Sequence, residues 1–219
     1  MRALITGGTG RLGSAIAARL ERDGWHVFAA GRADGDVAKV AEARALVERA
    51  VGELGGLDLL VNAAAEGFEP RPLLEVDEAA WDAAFGATAK GSFFVTQAAA
   101  AHLGPSRGCV VMIEDVAAYQ PWPSFAAHCA AKAAQAMLTR VLARALAPEV
   151  RVCGIAPGPV AVEQGQGDRR AAETLLGRVG SPDDVAEAVV YLAGADFVTG
   201  SSLVVDGGRL LQSGPTMLP

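Results

Sequence analysis

Aromatic residues are scarce in this sequence, and much of its apolar bulk comes from small side chains. Phe, Trp and Tyr make up 5% of a chain that is 51% hydrophobic. Small apolar side chains allow helices to pack closely on a sheet, which suits an α/β fold. The 219 residues match one medium domain with a sizeable core, so we expect residues 1–219 to form a single domain.

Cysteine pairs, basic runs and long apolar segments are also missing. Cys109, Cys129 and Cys153 are isolated and lack metal-type spacing, so we expect buried reduced thiols and no metal site. The net charge is −6 without a basic cluster, which argues against binding to nucleic acid. The apolar run after Met1 ends at Gly7, too early for a signal peptide or a membrane span. We therefore expect a cytoplasmic protein that does not bind membranes.

Short apolar strands alternate with segments of helical periodicity along the chain. Strands are predicted at residues 3–6, 27–30, 57–62, 108–113, 150–155 and 203–205. Helices are predicted from 12 to the stop at Asp23-Gly24, at 41–51, 81–102 and 125–147, and after the cap Ser181-Pro182-Asp183-Asp184. Strands that are apolar on both faces and separated by helices predict a doubly wound parallel sheet, a Rossmann-type three-layer sandwich.

A glycine-rich turn connects the first strand to the first helix, and it reads Thr6-Gly7-Gly8-Thr9-Gly10-Arg11-Leu12-Gly13. Glycines let the backbone approach phosphates closely, and a helix N-terminus offers N–H groups and a positive dipole end. We predict that this turn binds the pyrophosphate of a dinucleotide, the alternative being a packing turn without a ligand. Arg11 would add a positive charge beside the phosphates, unless it is a solvated arginine.

The end of the second strand, Ala30-Gly31-Arg32, bears on the choice between NADP and NAD. An acid at this position binds the ribose 2′-hydroxyl of NAD, whereas an arginine nearby accommodates the 2′-phosphate of NADP. Gly31 cannot repel a phosphate, and Arg32 can bind one through its planar guanidinium group. NADP is therefore favoured, while Asp34 and Asp36 just beyond keep NAD as the alternative.

In this order the motifs resemble those of the short-chain dehydrogenase/reductase family, from residue 2 to about residue 209. The phosphate turn departs from the family pattern at Arg11, which replaces a glycine. A basic residue at this position resembles the pattern of the pteridine-reductase branch. The other matches are Asp36-Val37, Leu60-Val61-Asn62-Ala63-Ala64-Ala65, Ala156-Pro157-Gly158-Pro159-Val160, Asp196-Phe197-Val198-Thr199-Gly200 and Val205-Asp206-Gly207-Gly208. The resemblance implies a homodimeric or homotetrameric oxidoreductase, shortened by a nearly absent helix between the second and third strands.

The resemblance also assigns residues to the cofactor and to catalysis. The implied cofactor-binding residues are Gly7, Thr9, Gly10, Arg11, Leu12, Gly13, Arg32, Asp36, Val37, Asn62, Ala63, Lys132, Pro157, Gly158 and Val160. Family members use an Asn–Ser–Tyr–Lys set, in which tyrosine gives a proton to the substrate while lysine holds the ribose. Lys132 keeps its position, but the other three positions are occupied by Thr88, Asp115 and His128. The aspartate exchange also occurs in pteridine reductases.

The altered set still allows proton transfer on chemical grounds. His128 and Lys132 lie four residues apart on one predicted helix and share a face. Histidine titrates near neutrality, and a carboxylate at Asp115 would favour the imidazolium while Lys132 would oppose it. Imidazole is shorter than phenol, so a histidine without a proton role remains equally open. Thr88 offers a hydroxyl but not the two-sided bonding of an amide.

The substrate side of the site is less clearly defined by the sequence. Phe68, Tyr119 and Trp122 follow strands whose carboxyl ends form the crevice, where they would stack on a flat substrate or pack on one another. Tyr119 would otherwise be a substitute phenol, although a role as pocket wall is preferred. Residues 162–170 resemble the family's substrate lid, in which Arg169-Arg170 would meet an anionic group or remain solvated.

Two functions follow from these observations. The favoured one is an NADPH-dependent reductase of a carbonyl or imine group on a small molecule, with His128 or Asp115 as acid. The alternative is a cofactor-binding, catalytically impaired homologue that acts as a scaffold or regulatory subunit. A cofactor-free lyase or dehalogenase on the same fold would be expected to lose the phosphate turn, which this chain keeps.

Overall fold

Six parallel strands form the sheet of this protein in a computed structural model, which describes residues 1–66, 68–160 and 167–212. The strands are β1 Arg2–Thr6, β2 His26–Ala30, β3 Leu59–Asn62, β4 Cys109–Ile113, β5 Arg151–Pro157 and β6 Ser202–Val205. Their order is β2-β1-β3-β4-β5-β6, and every adjacent pair is parallel. The order reverses at β1, which pairs with β2 on one side and β3 on the other. Such a switch point opens a crevice at the carboxyl ends of the strands.

Helices cover both faces of the sheet. They are α1 Arg11–Arg22, α2 Val40–Leu54, α3 Glu78–Phe85, α4 Ser92–Leu103, α5 Ala126–Leu146, the short α6 Gly167–Ala171 and α7 Pro182–Gly194. On one face, Ile5 packs with Ile16 and Leu20 of α1 and with α7. On the other face, Leu4 packs with Leu46 of α2 and with α4 and α5. Neighbouring strand residues thus enter opposite layers, and the predicted doubly wound three-layer fold is confirmed.

The predicted helix over 81–102 is longer than expected and is not uniform. The helical run begins after Asp77, whose carboxylate accepts a hydrogen bond from the backbone N–H of Ala80 at 2.8 Å. Between α3 and α4 the chain forms a π-helical turn over Gly86–Gly91. Such turns are rare and frequently lie at functional sites. The predicted cap at Ser181 is confirmed, because its hydroxyl accepts from the N–H of Asp184 while the Asp184 carboxylate accepts from the N–H of Ser181.

The expectation that the helix between β2 and β3 is nearly absent was wrong. A 15-residue helix, α2, occupies that connection. The classic doubly wound order is 3-2-1-4-5-6, in which a further strand lies beyond the second. Here β2 is the edge among the described strands, and a single 3₁₀ turn over Arg32–Asp34 leads from it towards α2. Relative to the classic order, the described strands therefore lack one edge strand beyond β2, together with the crossover connection that a parallel strand needs.

Two further expectations concern the burial of the cysteine thiols and the absence of a membrane-spanning segment. Cys109 and Cys153 are free and buried in the sheet, as predicted, whereas Cys129 is free but only half-buried. Within the ranges that the structure describes, no helix combines the length and the apolarity needed to cross a lipid bilayer.

Candidate active site

The turn between β1 and α1 is a tight backbone cradle that only glycine fits. Gly7 has φ of +67°, and a Cβ there would lie 2.8 Å from the backbone carbonyl group of Ala63. A Cβ on Gly13 would overlap the carbonyl oxygen of Gly7. Gly10 precedes the first residue of α1, and no side chain caps that helix. The cradle therefore suits a ligand with anionic oxygens, since a helix N-terminus with uncapped N–H groups attracts them.

A cavity of about 250 Å³ lies beside this turn. Seven of the predicted cofactor-binding residues line it, namely Gly7, Thr9, Gly10, Arg32, Asp36, Val37 and Ala63. The other eight predicted positions do not line this cavity. Arg11, Leu12 and Gly13 begin α1, Asn62 ends β3, Pro157 ends β5, Gly158 and Val160 follow β5, and Lys132 lies on α5. The structure thus brings seven of the fifteen predicted residues together around one cavity.

Asn62 is the last residue of β3, and its side chain is buried. Its side-chain nitrogen donates to the hydroxyl of Thr96 at 3.0 Å, which fixes the orientation of the amide. Its side-chain oxygen is buried and has no hydrogen-bond partner within the described part of the chain. A buried polar atom without a partner is costly, so this oxygen is a position at which a ligand or water would be stabilised.

Arg32 forms an ion pair that sequence reasoning missed. Its guanidinium group donates to the carboxylate of Glu66 at 2.7 Å, which raises the pKa of Arg32. Arg32 comes from the turn after β2, and Glu66 comes from the loop after β3. Both side chains are exposed, so the pair is weak and exchangeable. A phosphate placed at Arg32 would compete with Glu66 for the same N–H groups.

His128 and Asp115 meet directly in the structure. His128 Nε2 lies 3.3 Å from Asp115 Oδ2, and the imidazole is only 4% exposed. The other carboxylate oxygen of Asp115 accepts from the backbone N–H of Ala117 at 2.8 Å, which holds the side chain in place. His128 Nδ1 is buried and has no hydrogen-bond partner among residues 1–66, 68–160 and 167–212. The ring of Phe68 packs edge-on against the imidazole at 4.9 Å.

Lys132 lies one turn after His128 on α5 and is also buried. Its ammonium group donates to the backbone oxygen of Ile113 at 2.7 Å and to Gln135 Oε1 at 3.1 Å. Burial lowers the pKa of Lys132 to about 8, although Asp115 and Glu114 act to raise it. An ammonium group has three N–H donors. Two are used by the described residues, which leaves the third to a bound ligand.

Thr88 lies in the π-helical turn and is fully buried. Its hydroxyl has no hydrogen-bond partner within the described residues, so it is not hydrogen-bonded to Lys132 or His128. Its backbone oxygen accepts instead from the hydroxyl of Ser92 at 2.6 Å. The side chain at this position therefore makes no polar connection to the rest of the candidate site.

Glu114 is a second group that sequence reasoning missed. This buried carboxylate accepts hydrogen bonds from the hydroxyls of Thr139 at 2.7 Å, Ser202 at 3.0 Å and Tyr119 at 3.1 Å. Burial raises the pKa of Tyr119. The Tyr119 hydroxyl is thus committed to Glu114 and not to His128, which agrees with its preferred role as a wall. The signal was present in the sequence as an acid beside Asp115 at the end of an apolar strand.

The aromatic residues predicted near the crevice pack on one another. Phe68 stacks on Phe125 with ring centroids 4.8 Å apart, and Trp122 lies edge-on to Phe68 at 6.5 Å. The guanidinium group of Arg209 lies over the Trp122 ring at 5.0 Å. Within the segment predicted as a lid, residues 162–166 lie outside the described part of the chain. Arg170, on α6, pairs with Glu173 at 3.1 Å.

Comparison with known proteins agrees with this geometry. Residues 29–209 match the sequence profile of a family described as enoyl-(acyl carrier protein) reductase. The chain is 34% identical to the granaticin polyketide synthase putative ketoacyl reductase 2 of Streptomyces violaceoruber, over 95% of this chain and 96% of that one.

Some solved structures with the same fold contain a nicotinamide cofactor. One is a 3-ketoacyl-(acyl-carrier-protein) reductase from Brucella melitensis in complex with NADH, with TM-score 0.90, 27% identity and coverage of 95% of this chain and 98% of that one. Another is a blue fluorescent protein from a metagenomic library in complex with NADPH, with TM-score 0.84, 29% identity and coverage of 95% and 97%. On its sequence, its fold and its relatives, the chain belongs to the short-chain dehydrogenase/reductase family of oxidoreductases.

Proposed function

We propose that this protein is an NADPH-dependent reductase of a carbonyl or imine group on a small molecule, with His128 as its proton donor. The observation that carries the proposal is the contact of His128 with Asp115, one helical turn from the buried Lys132. The three groups lie near the carboxyl end of β4, because Asp115 follows that strand and Lys132 donates to the backbone oxygen of its last residue, Ile113. A proton donor, a cation and a phosphate-binding turn at one edge are the parts that a nicotinamide-dependent reduction needs.

The residues present fit the dinucleotide. The cradle around Gly7 and Gly13 would hold the pyrophosphate, Asp36-Val37 the adenine, and Arg32 the 2′-phosphate. Lys132 would hold the ribose through its remaining N–H donor, while Asn62, Pro157 and the residues after it would border the nicotinamide. When bound, NADPH would supply the hydride. The solved relatives hold NADPH or NADH, so the preference for NADPH depends on Arg32.

His128 would protonate the substrate through Nε2. The separation of 3.3 Å from Asp115 Oδ2 exceeds the roughly 2.7–2.9 Å of a tight charge-assisted hydrogen bond. A substrate oxygen or nitrogen would therefore be able to accept the Nε2 proton. In its cationic form His128 would give the Nε2 proton to the carbonyl oxygen or imine nitrogen of the substrate and would be left as the neutral imidazole. Asp115 would hold the imidazole ring in place through this contact.

Two features of the chain bear on the class of substrate, namely a sequence likeness and an aromatic cluster. Arg11 and Asp115 occupy positions at which the sequence resembles the pteridine-reductase branch. This likeness is the reason that the proposed substrates include imines as well as carbonyl compounds. The cluster of Phe68, Trp122 and Phe125 next to His128 offers apolar surface for a flat substrate.

We also propose that residues 1–219 form one NAD(P)-binding domain and that the protein is a homodimer or homotetramer. On α5, Met137 and Val141 are each at least half exposed, although both are apolar. Exposed apolar side chains along one helix favour packing against a second subunit. Light scattering after size-exclusion chromatography would measure the mass directly, and a monomer would contradict this part of the proposal.

A second function is favoured by the burial of His128. Protonating this imidazole places an N–H at Nδ1, where the described residues offer no acceptor. The ring of Phe68 also packs edge-on against the imidazole ring. These features fit a cofactor-binding homologue that is catalytically impaired and acts as a scaffold or regulatory subunit.

The two functions are separated by one pair of measurements. The reductase proposal predicts NADPH binding by calorimetry and NADPH oxidation with at least one member of a panel of carbonyl and imine compounds. The scaffold alternative predicts the same binding without turnover on any of them. Absence of binding would contradict both.

Replacing Glu66 with glutamine is expected to tighten NADPH binding by about twofold to fivefold, because Glu66 competes with the 2′-phosphate for Arg32 and exposed ion pairs are weak. NADH, which lacks this phosphate, should bind unchanged. Glu69→Gln is the matched control, since Glu69 loses the same charge in the same loop but faces Arg71. Calorimetric titration of both cofactors gives the ratio, and an unchanged NADPH-to-NADH ratio in Glu66→Gln would count against Arg32 as the phosphate ligand.

A further inference from the structure

A stripe of polar side chains runs along the buried face of α5. His128, Lys132, Gln135 and Thr139 recur at the spacing of one helix face, and all four are buried. Buried polar groups are costly unless each is hydrogen-bonded. Gln135 is fully buried and has no assigned role in ligand binding. Its hydrogen-bond partners therefore indicate its role.

The carboxamide of Gln135 connects Lys132 to α4 and to the π-helical turn. Its Oε1 accepts from the Lys132 ammonium at 3.1 Å, and its Nε2 donates to the Ser92 hydroxyl at 2.8 Å. Ser92 in turn donates to the backbone oxygen of Thr88 at 2.6 Å, which Gln135 Nε2 also approaches at 3.5 Å. The direction of this chain is fixed, because an ammonium group can only donate and must face the amide oxygen.

We infer that Gln135 is a positioning residue for Lys132 and supplies the two-sided amide bonding that Thr88 cannot. One side of the amide holds the ammonium group, and the other is anchored through Ser92 to the helix that carries Thr88. The threonine hydroxyl itself is hydrogen-bonded to neither group. The role in reduction rests on the proposed function of Lys132, whereas the hydrogen-bonded chain itself does not.

The pKa of Lys132 distinguishes a positioning role of Gln135 from a purely structural one, because a purely structural glutamine would not affect that pKa. The charged groups facing it are Glu114 and Asp115 from the end of β4, with His128 one turn before it on α5. The two hydrogen-bond acceptors of Lys132, the backbone oxygen of Ile113 and the amide oxygen of Gln135, are neutral. An acceptor hydrogen bond to an ammonium group favours its charged form, so we expect the amide oxygen 3.1 Å from the ammonium group to favour protonated Lys132. Removing this acceptor should lower the pKa of Lys132, and a carboxylate in its place should raise it.

The test is an NMR titration of protein labelled at the lysine ε-carbon. The chain has only three lysines, Lys39, Lys90 and Lys132, so the signals can be assigned by substitution. In the wild-type protein Lys132 should titrate with a pKa of about 8. Gln135→Leu should move this midpoint down by about one pH unit and Gln135→Glu should move it up by a similar amount.

Leu142→Ala is the matched control for lost packing. Leu142 is buried on the same helix and its truncation removes no polar group near Lys132, so it should lower the melting temperature without moving the midpoint. An unchanged midpoint in both Gln135 variants would overturn the inference. The measurement needs neither cofactor nor substrate, so it is independent of the proposed function.

Activity provides the second readout. If Lys132 acts as proposed, kcat/KM should fall as pH rises through the midpoint, because the ammonium group is lost. The alkaline limb should then move down in Gln135→Leu and up in Gln135→Glu. Shifted NMR midpoints in a protein without turnover would leave the positioning role intact and contradict only the proposed reductase function.

Discussion

Replacing His128 with glutamine is expected to lower kcat by about 10²–10⁴-fold, the usual contribution of a general acid. A glutamine amide can still donate a hydrogen bond to Asp115, so the pair and its surroundings are largely kept, but the amide cannot release a proton. Binding of NADPH should remain within a factor of about two, because His128 is not placed against the phosphate cradle. Steady-state kinetics and calorimetry measure the two effects separately.

The chain contains a matched control for this substitution. His102 on α4 also pairs with a carboxylate, at 3.0 Å from Glu48, but on the protein surface. His102→Gln removes the same chemistry from a surface ion pair and should leave kcat unchanged. An unaltered kcat in His128→Gln would show that another group donates the proton, and Asp115 would be the next candidate.

Gly13→Ala is expected to weaken NADPH binding at least about tenfold. The added Cβ would overlap the carbonyl oxygen of Gly7, so the turn must open and its N–H groups must move away from the pyrophosphate. Gly13 lies at the start of α1, above the sheet edge, so the fold should survive with a lower melting temperature. Calorimetry gives the affinity, and circular dichroism shows whether the helices persist.

Gly52→Ala is the control for this second prediction. Gly52 is also helical, on α2, but a Cβ there meets nothing within 4 Å. Alanine is the better helix former, so this variant should be slightly more stable and should bind NADPH as the wild type does. Equal affinity in Gly13→Ala and Gly52→Ala would mean that the glycine turn is only a packing feature.

The fold could be predicted from the sequence because its signals are local. Residues 3–6 and 108–113 are apolar runs closed by turn or polar residues, and Ser181 is followed by a proline and two acids, so strands and helix starts are visible without the structure. The strand order is not local. Periodicity correctly predicted a helix at 41–51, whereas the nearly absent helix was implied by the family resemblance, and the lack of an edge strand beyond β2 was not recognised because periodicity does not show which strands pair.

The candidate site shows the same division. Asp115 and His128 were found because each occupies a recognisable position in a motif, and the structure places them in contact. Glu66 was missed, since it meets Arg32 only through two loops that are far apart in the chain. Gln135 was within reach of sequence reasoning, because it lies three residues after Lys132 on the same helix face. What hid it was the absence of any pattern that marks a buried glutamine as functional.

Calorimetric titration of the purified protein with NADPH tests the central claim most directly. The glycine cradle, Arg32 and Lys132 together predict saturable binding of one NADPH per chain, tighter than the binding of NADH. If neither NADPH nor NADH is taken up at millimolar concentration, the cradle does not hold a dinucleotide, and the proposed reductase function is wrong whatever His128 contributes.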